Sequence, residues 1–186
     1  MVSLMSLLVP ILVSGVLVFI ASSVLHMVFP YHRNDVLGVP DEPRVMDALR
    51  PFNIPPGDYM MPRAASPKEG RDPAFVEKLK RGPVAVMTVL PTGPFTMGKT
   101  LGQWFVYCVV IALFAAYIAS RTLAPGAPYL AVFRIVGTVA FIGFVGGLWQ
   151  DSIWWSRKWS TTIKSTVDGL IYGLLMGGVF GWLWPA

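Results

Sequence analysis

Apolar positions along this chain gather into four long runs, with one long polar stretch and two shorter breaks between them. The first run covers residues 4–29, LMSLLVPILVSGVLVFIASSVLHMVF. The second covers 101–120, the third 129–149 and the fourth 168–184. A helix needs roughly 18 or more mainly apolar residues to cross the hydrocarbon layer, and these runs approach or exceed that length. Only structures that satisfy their own backbone can cross lipid, and the helix is the simplest of them. The pattern therefore predicts an all-α membrane protein of four transmembrane helices. The strictly apolar part of the fourth run is somewhat short, and its helix can begin earlier, at Ser160 or Thr161. Pro10 lies near the start of the first run, where a modest bend is tolerable. That run is read as a retained helix rather than a signal peptide. No Lys or Arg precedes Arg33, and the apolar core exceeds the 7–15 residues of a signal sequence.

Residues 30–100 break the apolar pattern and carry twelve prolines. Proline blocks long helices and central strands, so this segment is predicted to be mainly turns and extended chain with short helices. Asp41 is placed to cap a helix over EPRVMDALR. Asp72 is placed to cap PAFVEKLKR, with Pro73 at its first position and Gly82 just past its end. VAVMTVL, residues 84–90, is read either as a strand or as a run lying along the membrane surface. The segment is expected to form an ordered unit on the membrane face. Residues 150–167 are read as an aromatic and basic connection at the interface.

Within the fourth run glycine recurs every fourth residue, at Gly169, Gly173, Gly177 and Gly181. Gly143 and Gly147 repeat the spacing on the third run. Cys108, Ala112, Ala116 and Ser120 repeat it on the second. Small residues four apart let helix backbones approach closely in lipid, where apolar side chains gain nothing from meeting one another. Gly143 and Gly147 are the nearest candidate counterpart of the Gly169–Gly181 strip, and the small face of the second run is another. Four glycines span more helix than one crossing uses, so a second partner is expected near Gly181.

Composition sharpens the membrane reading. Hydrophobic residues make up 54% of the 186 and charged residues 13%, and mean hydropathy is +0.59. A typical soluble domain carries about 25% charged residues. A net charge of +5 and a pI near 9.6 also suit nucleic-acid binding, but the positives crowd beside apolar runs, as membrane topology requires. Thirteen of the fifteen Lys and Arg fall in the long polar segment and the third connection, against Arg121 on the opposite side. Positive loops stay in the cytoplasm. Tyr31, Trp104, Trp149, Trp154, Trp155 and Trp159 fall at the same predicted face, and Tyr117, Tyr129, Trp182 and Trp184 at the other. Both signals place the termini outside and the polar segment inside.

Candidate chemistry is sparse. Arg134 lies within the third run, where an ionisable residue is a functional candidate by default. It is near the outer end, so its stem can also snorkel to the interface. Otherwise it suits a lipid phosphate or an acidic partner residue. Asp151 and Asp168 are expected to converge near Arg157, Lys158 and Lys164, as a salt-bridge cluster or as a proton or cation entry point. His26 and His32 are the only histidines, and a metal or haem needs further ligands converging on one point. No cofactor is predicted, although contact of a pigment or haem with His26 alone stays open. The single Cys108 allows neither an intrachain disulfide nor a multi-cysteine zinc site. Its apolar setting makes it a packing residue. Trp154, Trp155, Arg157, Lys158 and Trp159 read as a belt meeting anionic lipid headgroups rather than as a nucleic-acid surface. No nucleophile–base spacing or phosphate-binding loop is present.

In ALRPFNIPPGDYMMP and STVDGLIYGLLMGGVFGWLWP the chain resembles a group of uncharacterised small bacterial multi-span proteins. The resemblance runs over most of its length. It implies the bacterial inner membrane and carries no activity or site. The sequence thus predicts a non-enzymatic integral membrane protein, an accessory or assembly subunit of a larger complex, with lipids and other transmembrane helices as partners. A small oligomeric transporter or channel is the alternative.

Overall fold

The computed structural model describes residues 1–94 and 96–186. It is mostly helical and holds four helices long and apolar enough to cross a membrane: Met5–Val28, Gly98–Thr122, Tyr129–Trp154 and Trp159–Trp182. The chain divides into two compact units, residues 1–37 with 96–186, and residues 38–95.

In the first unit, α1 (Leu8–Ser23) follows a 3-10 turn at Met5–Leu7. Pro10 therefore sits in the first turn, where the absent N–H costs no hydrogen bond. A π-helical turn, Val24–Val28, continues α1 and closes with the Phe29 N–H donating to the Val24 carbonyl.

The second unit contains α2 (Glu42–Leu49), β1 (Gly57–Met61), α3 (Pro73–Arg81) and β2 (Ala85–Val89). Both expected helices form. Asp72 caps α3 by accepting the Ala74 N–H at 2.7 Å, and Gly82 ends the helix at φ +60°. Asp41 does not cap α2. Its backbone is left-handed, at φ 49°, and its side chain makes no cap bond. The all-α expectation also needs correction, because β1 and β2 pair antiparallel with Tyr59 opposite Met87. GDYMM and AVMTV both alternate, with alternate side chains inward, as a half-buried strand requires. Thr88 donates across the pair to Asp58 at 2.6 Å.

The remaining helices of this unit are α4 (Gly98–Thr122), α5 (Tyr129–Val145), α6 (Leu148–Trp154) and α7 (Trp159–Trp182). The third run is not one uninterrupted helix. It turns at Gly146–Gly147 and resumes as α6. The connection expected over 150–167 is largely helical, because α7 starts at Trp159, next to the earlier start at Ser160 or Thr161 that the fourth run allows. Ser152 and Thr162 share a buried 2.6 Å hydrogen bond that joins α6 to α7.

The most extensive helix pairing is α5 with α7, and the α7 glycines account for it. A Cβ at Gly173 would stand 2.8 Å from the Gly137 carbonyl oxygen, and one at Gly177 would stand 2.8 Å from that of Phe133. Gly169 meets Val145 and Phe144, and Gly181 meets the Tyr129 ring. The strip is filled by one helix from end to end, so no second partner is needed near Gly181. Its counterpart is Gly137, flanked by Phe133 and Phe141. Gly143 instead packs on Ile111 of α4, and Gly147 has nothing within 4 Å. The small face of α4 is used as expected, with Cys108, Ala112, Ala116 and Ser120 fully buried. Gly15 of α1 meets Val109 of α4.

Candidate functional site

At one end of the four-helix unit, polar groups from α1, its following turn and α7 converge. The geometry starts with the π turn. It continues past Phe29, which is extended, into a 3-10 turn at Pro30–His32. That reversal lays the His32 ring on the His26 ring, with centroids 4.2 Å apart and planes 3° from parallel. π turns often mark functional positions, because they displace side chains from their regular helical directions.

Each histidine is oriented through Nδ1. His26 Nδ1 lies 3.0 Å from the Ser22 carbonyl oxygen, and His32 Nδ1 lies 2.7 Å from Asp35 Oδ2. Both partners can only accept, so Nδ1 carries the proton in each ring. In the neutral imidazole the lone pair is then on Nε2. Ser22 is itself fixed, since its hydroxyl accepts from Trp104 Nε1 of α4 at 2.7 Å and donates to the Phe19 carbonyl at 2.9 Å.

Helix α7 supplies Lys164 and Asp168, one turn apart on the same face. Lys164 Nζ donates to Asp35 Oδ1 at 2.6 Å and to the Tyr31 carbonyl at 2.7 Å, and it stands over the Tyr31 ring. Burial alone would raise the Asp35 pKa. The hydrogen bonds from Lys164 and His32 outweigh that effect and hold the carboxyl below its ordinary value. Asp168 lies deeper and is 3% exposed. Its Oδ2 is 2.9 Å from His32 Nε2, yet neither carboxylate oxygen nor that nitrogen has an aligned hydrogen bond. Ligand atoms of His26, His32 and Asp168 all lie within 4.8 Å of one another. One turn beyond Asp168, Tyr172 packs edge-on against Phe144 and Trp104. An aromatic layer therefore stands between the cluster and the middle of the bundle.

The structure separates the expected acid pair. Asp168 meets His32, while Asp151 pairs with Arg157 at 3.4 Å on the surface. Lys164 bonds Asp35 rather than Asp168. Lys158 precedes α7 as its cap residue. Trp154, Trp155 and Trp159 are exposed, which suits a membrane interface. Arg134 and Thr138 are exposed on α5, beside a shallow groove toward Leu170 and Leu174 of α7.

Sequence reasoning weighed His26 and His32 but missed their convergence with Asp35 and Asp168. The available signal was a histidine on each side of Pro30 at the end of a span, together with an acid inside another apolar run. No protein-family model, curated protein or solved structure matches the chain.

Proposed function

We propose that the chain is a non-enzymatic integral protein of the bacterial inner membrane and serves as an accessory or assembly subunit of a larger membrane complex. In this reading both termini are periplasmic and the 30–100 segment is cytoplasmic. The supporting observation is a hollow of about 630 Å³ in the second unit, walled by Met46, Leu49 and Ile54 and by Met87, Val89 and Leu90. Met46 is 53% exposed and Leu90 65%. Exposed apolar surface gathered into a concavity is characteristic of docking sites. A two-stranded sheet also leaves outer strand edges on which a partner segment can pair. Gly98 and Gly102 of α4, four apart with nothing within 4 Å, leave a small-residue face free for another helix. The fourth-span strip supplies no such face, because α5 fills it.

The test is purification of the tagged chain from its own membranes in mild detergent, at native abundance. The expected result is recovery with a stoichiometric protein partner, lost on Leu49→Asp or Val89→Asp. Recovery of the wild-type chain as a monomer alone would overturn the reading.

The other reading is an oligomeric transporter or channel, and the outward position of Arg134 and Thr138 counts against it. Neither residue lines a path within one bundle, so a path would have to run between copies. Reconstituted vesicles that show ion flux abolished by Arg134→Leu would favour it.

A further inference from the structure

We propose that His26, His32 and Asp168 form a binding site for one divalent transition-metal ion. The inference goes beyond the docking role and does not depend on it.

Proton placement is the first argument. Both Nδ1 protons are committed, one to the Ser22 carbonyl and one to the Asp35 carboxylate. Each ring therefore presents the Nε2 lone pair. Histidines that bind metals almost always donate their other N–H to a carboxylate or a backbone carbonyl, which fixes the tautomer and raises ligand basicity. Here one ring has each kind of partner. Trp104 and Phe19 in turn fix Ser22, and Lys164 fixes Asp35.

The second argument is the buried carboxylate. Asp168 is 3% exposed, and both its oxygens lack an aligned donor. Leaving a buried carboxylate without compensation is expensive. Lys164, the lysine one turn away, is spent on Asp35 and the Tyr31 carbonyl. His32 Nε2 is close to Asp168 Oδ2, at 2.9 Å, but off the line of an N–H···O bond. With His32 neutral, two lone-pair donors held this close repel each other, and a bound cation removes that repulsion as a proton on Nε2 would. Neighbouring ligands on a metal with bonds of about 2.1 Å stand roughly 3.0–3.4 Å apart, for angles between 90° and tetrahedral. The His32–Asp168 separation is near the lower bound.

Donor chemistry sets the class of ion. Two imidazole nitrogens and one carboxylate suit zinc, iron(II) and their neighbours, and leave positions open. Calcium and magnesium prefer all-oxygen shells. The parallel rings aim their lone pairs along parallel planes, so one ring turns on binding. His26 is exposed whereas His32 is held between Asp35 and Asp168, so His26 is the ring that turns, pivoting on its Nδ1–H bond to the Ser22 carbonyl. Its open side adjoins a mainly apolar pocket of about 270 Å³ lined by Ser23, Met27, Met97, Thr100, Leu101 and Trp104, so the ring has room to move.

The test titrates the full chain in detergent micelles with zinc against a chromophoric chelator, and repeats it with cobalt(II), whose visible spectrum reports ligation. Wild type is expected to take up one ion per chain. Asp168→Asn and His26→Gln should each weaken binding at least 100-fold. Asp35→Asn, which removes the carboxylate behind His32 and the charged partner of Lys164, should weaken it about 10–100-fold. Far-ultraviolet circular dichroism and thermal unfolding of each variant show whether it is folded. His26→Gln, at an exposed position, keeps the test valid if Asp168→Asn is misfolded. Uptake by wild type that folded His26→Gln and Asp35→Asn both retain would overturn the proposal. Failure of wild type to bind at 100 μM zinc would do the same.

Discussion

Nζ of Lys164, on α7, lies 2.6 Å from Oδ1 of Asp35, in the turn after α1, and both side chains are largely shielded from water. The bond joins residues 129 apart in sequence and holds the turn that carries His32. Hydrogen bonds to charged groups contribute about 1.5–3 kcal/mol. Lys164→Met is therefore expected to destabilise the chain by about that amount. Hydrogen exchange should localise the loss to residues 30–37, with faster exchange there and little change in α5. Unchanged protection in that turn would show that the bond does not hold it.

The glycines of α7 make graded predictions. At Gly173 and Gly177 an added Cβ would meet backbone oxygens of α5, which cannot step aside without moving the helix. Alanine at either position should cost about 1–3 kcal/mol, the range for overpacking. At Gly181 the tightest contacts are to the Tyr129 ring, which can rotate, and the nearest backbone oxygen is farther off at 3.2 Å, so alanine there should cost less. At Gly147 nothing lies within 4 Å, and alanine should be neutral. Thermal unfolding in one detergent gives the order, and equal costs at Gly177 and Gly147 would contradict the packing.

In the second unit the two aspartates that precede helices should behave differently. Asp72→Ala removes a formed N-cap bond, at a cost of about 1 kcal/mol. Exchange of the α3 amides should speed up by roughly fivefold, provided they exchange through local opening. Asp41→Ala removes no cap bond and leaves α2 unchanged by that route. Asp41→Gly suits the left-handed backbone better and should be neutral or slightly stabilising. Amide exchange followed by mass spectrometry measures all three.

Topology can be tested with single cysteines on a Cys108→Ala background, since Cys108 is fully buried. The charge asymmetry predicts that Ser3→Cys and Ala186→Cys react with a membrane-impermeant maleimide added outside intact expressing cells. Lys68→Cys should react only after the membrane is opened. Labelling of Lys68→Cys from outside would invert the orientation.

Much of the fold was legible because it rests on local pattern. Apolar length marked the four spans, and the Asp72–Pro73 and Gly82 signals bounded α3. What failed depended on contacts between distant segments. Gly143 and Gly147 carry the right spacing but the wrong facing: Gly143 is on the side of α5 that meets Ile111 of α4, and Gly147 lies in the turn between α5 and α6. Gly137, the glycine that α7 does meet, stands alone between Phe133 and Phe141 and forms no repeat. GDYMM alternates as a strand should, but five residues enclosed by prolines gave no sign of their pairing with AVMTV. The candidate site was the least legible feature. Its three ligand candidates come from a π turn, a 3-10 turn and a helix near the other end of the chain, and only the folded bundle brings them together.

The most direct test is X-ray absorption at the zinc edge on wild type loaded with one equivalent. The account predicts a first shell of only nitrogen and oxygen donors at about 2.0–2.2 Å, with the outer-shell scattering of two imidazoles, reduced to one imidazole in His26→Gln. A sulfur shell near 2.3 Å, or a spectrum without imidazole scattering in wild type, would contradict it.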